Sequence, residues 1–153
     1  MKLVVAAVGN RMPSWIAAGW TEYARRFPPH LGLELREVSP AGRGGGDRSR
    51  EVEAERLRAR RPDRARCVAL HGDRHAWSTE RLAESLEGWQ ADGDPVCFFI
   101  GGADGLAPGL LDECAIRWSL GPAVYPHMLV RILVAEQLYR AFTLLSGHPY
   151  HRG

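Results

Sequence analysis

The stretch SGHPYHRG at residues 146–153 sets His148, Tyr150, His151 and Arg152 almost side by side. Imidazole moves protons near neutral pH. Tyrosine and histidine rings stack on an unpaired nucleobase, and a guanidinium fork holds a phosphate. Chain ends usually fray, so the ordinary reading of such a segment is a tail without a task. Two features oppose that reading. Aromatic residues and histidine are not typical of disorder, and Pro149 stiffens the stretch.

A second group of candidates stands where apolar runs end. VALHG closes on Leu70, His71 and Gly72; FFIGGADG carries Gly101 and Gly102; WSLGPAVYPH spans 118–127. Paired glycines let a backbone approach a ligand closely, although a plain tight turn explains them equally well. The run Leu120, Gly121, Pro122, Ala123, Val124 and Tyr125 is small and mostly apolar. Its backbone N–H and C=O groups suit the edge of an adenine, with apolar walls around the ring.

Other chemistries find less support. Cys67, Cys97 and Cys114 are odd in number, form no CxxC and have no histidine at metal spacing. They read as small buried hydrophobes in a reducing cytosol. GRGGGD (42–47) lacks both the strand–turn–helix spacing of a dinucleotide motif and the GK[ST] of a P-loop. Residues 39–50 read instead as a mobile basic arm.

The elements that must position these groups follow from periodicity. KLVVAAVG (2–9) is a continuous β-rich run, buried on both faces. Apolar residues at three- and four-residue steps predict a helix over 13–27, stopped by Pro28 and Pro29. LGLELREV (31–38) alternates as a strand with one wetter face. The charged segment 51–62 reads as a solvated helix of alternating Glu and Arg. Further strands fall at 65–72, within 94–105 where the strand runs into a glycine-rich turn, and at 116–121, and further helices at 78–93 and after Pro108. The longest helix, 127–145, is apolar almost all round, broken by Arg131, Glu136, Gln137 and Arg140. Strands alternating with helices predict one α/β domain over 1–153 with a mostly parallel sheet. A helix so apolar must be buried, and in a small domain a second copy buries it.

Composition bounds these readings. With 45% apolar and 25% charged residues, the 153-residue chain is of the globular class. A formal charge of +2 announces no nucleic-acid partner by itself. Lys2 is the sole lysine, so nearly all positive charge is carried by arginine. MKLVVAAVGNRMPSW reads as a strand rather than a signal peptide, and no run of roughly 20 apolar residues predicts a membrane span. A cytoplasmic protein is expected.

Taken together and in order, MKLVVAAVGNRMPSWIAAGWTEYARRFP, FFIGGADGL, WSLGPAVYPHMLVRILVAEQLYRA and SGHPYHR resemble the RlmH (YbeA-type) family. These are ribosomal large-subunit pseudouridine methyltransferases of the SPOUT superfamily. Family members read IGG.(E/D)G, then SLS…T.PH…R..L.EQ.YRA, then NHPYH(R/K), and the match covers essentially the whole chain. The resemblance implies an α/β fold whose C-terminal part forms a deep trefoil knot, a topology that chain-connection rules would have excluded. It implies a homodimer with an S-adenosylmethionine site at Leu70, Gly102, Leu120, Gly121, Pro122, Ala123, Val124 and Tyr125. It further implies N3-methylation of a pseudouridine in the helix-69 loop of 23S rRNA on assembled 70S ribosomes, with no metal. The HPYHR tail would face the substrate, across the dimer from its own subunit's cofactor.

On that reading the tail supplies the catalytic groups. His151 accepts or polarises the N3 proton, Tyr150 stacks on the target base, and Arg152 pairs with a phosphate or a developing anion. Several positions depart from the family pattern: Gly121–Pro122 in the cofactor run, Gly147 before the tail, His71, and the Gly/Arg-rich 43–50. Pro122 removes a backbone donor, so contacts to adenine are arranged differently. Two rival readings stay open: a non-catalytic ribosome- or RNA-binding factor on the same fold, and a SPOUT methyltransferase acting on another RNA.

Overall fold

The structure is a computed structural model, described here for residues 1–42, 45–72 and 76–152. Five strands form one sheet: β1 (Lys2–Val8), β2 (Gly32–Val38), β3 (Arg66–Leu70), β4 (Val96–Ile100) and β5 (Ile116–Trp118). Their order is β2-β1-β4-β3-β5, and every pairing is parallel. Parallel strands need crossovers, which the helices supply. These are α1 (Ser14–Ala24), α2 (Gly46–Arg58), α3 (Thr79–Asp92), α4 (Pro108–Glu113) and α5 (His127–Ser146).

The two-residue period of the strands divides the core in two. Leu3, Val5, Ala7, Phe98 and Trp118 face one side, where Trp20 of α1, Leu82, Leu86 and Trp89 of α3, and Val134 and Leu138 of α5 cover them. Val4, Ala6, Val8, Cys97 and Phe99 face the other, under Ala54 and Leu57 of α2 and Leu106 and Leu110 around α4. Both faces of β1 are therefore dry, which is why its sequence is a continuous apolar run. The edge strand β2 carries charge instead: Glu34 pairs with Lys2 and Arg36, which discourages pairing with another chain.

Helix boundaries follow local chemistry. Ser78 Oγ accepts from Arg81 N at 3.1 Å, capping α3, and Gly93 closes it in the left-handed conformation. Helix α1 stops at Ala24, short of the expected residue 27, and Pro29–Leu31 forms a 3₁₀ turn instead.

Three expectations need correction. Residues 46–50 are not an arm but the first turns of α2, where Gly46 N donates to Asp104 Oδ2 at 3.2 Å. Arg43 and Gly44 of that expected arm lie outside the described residues. Helix α2 is not wholly solvated: Glu53, Ala54 and Leu57 are buried. Strand β5 ends at Trp118 rather than residue 121, because the chain turns away once Ser119 has made an isolated bridge with Ala76.

Candidate active site

The carboxyl ends of β3, β4 and β5 and the start of α5 enclose a cavity of about 300 Å³. In open parallel sheets this is where ligands sit. Leu70, Ile100, Trp118, Leu120 and Val130 give it apolar surface, with His71, Tyr125 and His127 also in its lining. All eight residues expected to bind the cofactor line it: Leu70, Gly102, Leu120, Gly121, Pro122, Ala123, Val124 and Tyr125. Val124 is 96% exposed, an apolar side chain standing open at the rim.

Backbone geometry builds the cavity. A Cβ on Gly101 would lie 2.5 Å from the Gly105 carbonyl carbon, so no side chain fits there. Gly105 N donates to Gly102 O at 3.0 Å and closes the turn. The paired glycines are thus a tight turn and a cavity wall at once. Gly121 has φ +110°, a region that favours glycine. Ser119 Oγ accepts from Gly121 N at 3.1 Å and lies 3.2 Å from Gly121 O, holding the loop. Apolar walls with backbone polar groups at the rim fit an adenine nucleoside. No cluster of His, Cys, Asp or Glu suited to a metal occurs among the described residues.

Three residues that sequence reasoning did not assign organise the floor. Arg131 is fully buried; its Nη2 donates to Gly9 O at 2.8 Å and Val8 O at 3.2 Å, and its Nη1 to Glu37 Oε2 at 2.6 Å. It fastens the start of α5 to the end of β1. Gly9 has φ +120°, a conformation that favours glycine, and a Cβ there would crowd Met128 Cε at 2.7 Å and Arg131 Nη2 at 3.1 Å. His127 lines the cavity, and burial, then the Arg131 charge, hold its pKa below the ordinary value against the pull of Glu53. Glu53 is itself buried, accepts from Ala41 N at 3.1 Å, and its carboxylate backs Gly102. An arginine inside an apolar helix was the signal for Arg131; Glu53 was hidden in a run of alternating charge.

The tail lies elsewhere on the chain. Pro149–Arg152 forms a 3₁₀ turn against α5, and none of Tyr150, His151 and Arg152 lines the cavity. Tyr150 packs edge-on to Tyr139, with ring centres 4.8 Å apart, beneath the guanidinium groups of Arg26 and Arg140. Burial, then the Tyr23 hydroxyl and the Glu136 charge, push its phenol pKa well up. It is a neutral hydrogen-bonding group. His151 Nδ1 is buried with no hydrogen-bond partner among the described residues. Arg152 is exposed.

Comparison with known proteins agrees with this architecture. Residues 1–151 match the family model described as a predicted SPOUT methyltransferase. The chain is 48% identical over 155 residues to "Ribosomal RNA large subunit methyltransferase H" of Burkholderia mallei (strain SAVP1), covering 99% of each chain. The protein of that name from Burkholderia pseudomallei (strain 668) matches equally. In fold it is similar to a probable methylase family protein from Haemophilus influenzae Rd KW20. That likeness has TM-score 0.53 and 14% identity, over 97% of this chain and 69% of that one. An all-parallel sheet with a cavity at its carboxyl edge, a family match over nearly every residue and near-half identity to full-length relatives lead to one conclusion: the chain belongs to the SPOUT methyltransferase family, among the RlmH-type proteins.

Proposed function

We propose that this chain is a single-domain, S-adenosylmethionine-dependent methyltransferase of 23S rRNA in the large ribosomal subunit. Its target is N3 of a pseudouridine in the helix-69 loop of assembled 70S ribosomes in the cytoplasm. The observation that carries the reading is the convergence of Leu70, Gly102 and residues 120–125 on one cavity, in a chain 48% identical to proteins named for this class of activity.

Leu70, Gly102 and the 120–125 loop would hold the cofactor, which supplies an electrophilic methyl group when bound. The chain's own residues then have two tasks, orientation and management of one proton. Holding both reactants in attack geometry is worth about 7–11 kcal/mol of barrier. A positioned base adds roughly 10²–10⁴-fold. His151 takes the N3 proton, Tyr150 stacks on or donates to the base, and Arg152 neutralises phosphate or developing negative charge.

The tail is remote from the cavity of its own protomer, so the site is composite. A second copy brings its tail to this cavity. The dimer is supported by the near-full-length match to the RlmH-type family, whose members pair as homodimers, and by the apolar α5 that a second copy would help bury. The C-terminal trefoil knot is part of the same reading. It is supported by the Ala76–Ser119 bridge, which lays the chain after β5 against the segment after β3 before α5 turns back.

The test is methyl transfer from labelled S-adenosylmethionine to 70S ribosomes, free 50S subunits and protein-free 23S rRNA, all lacking the modification. Label confined to 70S and mapped to a helix-69 pseudouridine is the expected result. Cofactor binding without label on any RNA would overturn the substrate, and absence of both would favour a binding factor.

A further inference from the structure

Arginine is the chain's cation, and many of its arginines lie against carboxylates, among them Arg25, Arg26, Arg131 and Arg140. Helix α2 and the turn after it divide theirs. Arg50 and Arg58 pair with carboxylates, and Arg61 Nη1 is directed to the Cys67 sulfur. Arg48, Arg56 and Arg60 have no carboxylate partner among the described residues. Arg48, the exposed Val52 and Arg56 follow one another at four-residue steps and share one face of α2, and Arg60 lies in the turn just beyond the helix end. Positive charge is thus left without a carboxylate along this stripe of α2 and the turn that follows it.

Two of the three stripe arginines line a groove of about 680 Å³ between α2 and the carboxyl ends of β1 and β2. Its other walls are Asn10, Glu37, Val38, Ser39 and Ala59. Glu37 is the sole carboxylate of that lining among the described residues, and it is engaged by Arg131 at 2.6 Å. Arg56 Nη1 donates to the carbonyls of Ser39 and Pro40, both at 2.9 Å, which aims its guanidinium along the groove wall. Asn10 Nδ2 donates to Ser39 Oγ at 3.2 Å, and both residues are exposed. The lining therefore offers guanidinium, amide and hydroxyl groups, the set that contacts phosphate oxygens.

The groove opens at the same end of the sheet as the cofactor cavity. Strands lie about 4.8 Å apart, so the three intervals from β2 to β3 span roughly 14 Å, the reach of a few nucleotides. We propose that Arg56 and Arg60 hold backbone phosphates of the substrate RNA in this groove while the target base is presented at the cavity. The inference rests on the RNA methyltransferase reading and adds to it a substrate-positioning surface away from the tail. It also accounts for a modest net charge: a few unneutralised arginines on one edge suffice where shape does the rest.

The experiment compares wild type with Arg60→Glu and Arg60→Lys, since the Arg60 side chain makes no ion pair among the described residues and its loss spares the fold. Arg56→Lys serves as a second, charge-preserving variant. Calorimetry with S-adenosylmethionine, methyl transfer to 70S ribosomes and filter binding of protein-free 23S rRNA are measured at several salt concentrations. Arg60→Glu should leave cofactor affinity and kcat within about twofold. It should raise KM about tenfold and lower the slope of log affinity against log salt by about one. Arg60→Lys should recover most of the loss. An unchanged KM, or a fall in kcat alone, would overturn the proposal. So would a KM effect on ribosomes with unchanged rRNA binding, which would assign the groove to a ribosomal protein. If wild type labels no RNA, the function reading fails, and rRNA binding by wild type and Arg60→Glu still decides the groove.

Discussion

Tyr150 Oη lies 3.2 Å from Glu136 Oε1, although 14 residues separate them. The same hydroxyl is 3.1 Å from Tyr23 Oη, so tail, α5 and α1 share one polar cluster beneath two guanidinium groups. Arg140 reinforces it through Glu136, at 2.6 Å. The tail is held in place by groups that tolerate burial only because they pair.

That contact makes Tyr150→Phe informative. The ring stays and its hydroxyl bonds go, so stability should fall by about 1 kcal/mol in urea unfolding. Cofactor affinity by calorimetry should not move, because the tail's proposed role is toward the target base, not toward the cofactor. Methyl transfer to ribosomes should fall if the tail acts on substrate.

Arg131→Met should be far more damaging. It strips donors from the Val8 and Gly9 carbonyls and leaves Glu37 unpaired, at a cost of about 3 kcal/mol. Because the start of α5 forms the cavity floor, cofactor affinity should drop in parallel with the denaturation midpoint. A stable variant with full affinity would show that the anchor is dispensable.

His127 gives a pH dependence of definite sign. Its folded pKa lies below the ordinary 6.5, through burial and then Arg131. The unfolded chain therefore binds its proton first as pH falls. The stability it contributes is present above about pH 6.5 and is lost as pH drops through the folded value. His127→Gln should flatten that part of the stability profile between about pH 7 and pH 5, measured by thermal unfolding.

The cysteines should separate on alkylation. Hydrogen bonds from the Cys114 thiol and then from Arg61 Nη1, at 3.3 Å, lower Cys67 to about 6. Burial pushes Cys97 up to about 12, and it is fully enclosed. Native protein treated with iodoacetamide should modify Cys67 first by mass spectrometry, since the thiolate is the nucleophile. Arg61→Met should slow that reaction, and equal labelling of Cys67 and Cys97 would contradict the geometry.

Gly88 lies inside α3, and a Cβ added there would have nothing within 4 Å. Gly88→Ala should raise stability by about 0.4–1 kcal/mol through the unfolded chain's lost freedom. Gly101→Ala, by contrast, must displace backbone and should weaken cofactor binding at least about tenfold, an order set by the cost of overpacking.

The α/β alternation, five strands and the residues of the cavity wall were legible in the sequence, because local periodicity and glycine-bearing strand ends are properties of neighbouring residues. KLVVAAVG reads as a strand buried on both sides, and FFIGGADG as a strand running into a glycine turn. What the tertiary structure decided was which distant groups meet. Glu53 looked like one more surface charge until α2 turned it toward Gly102. Arg131 looked like a break in an apolar helix until the carbonyls of Val8 and Gly9, over 120 positions earlier, met its guanidinium. The sequence offered Tyr150 as a group that could stack on a base, and nothing in it told that Tyr23 and Glu136 would meet its hydroxyl. Pairing of buried polar groups is a long-range constraint, satisfied only once the whole chain has packed, and no local pattern records it.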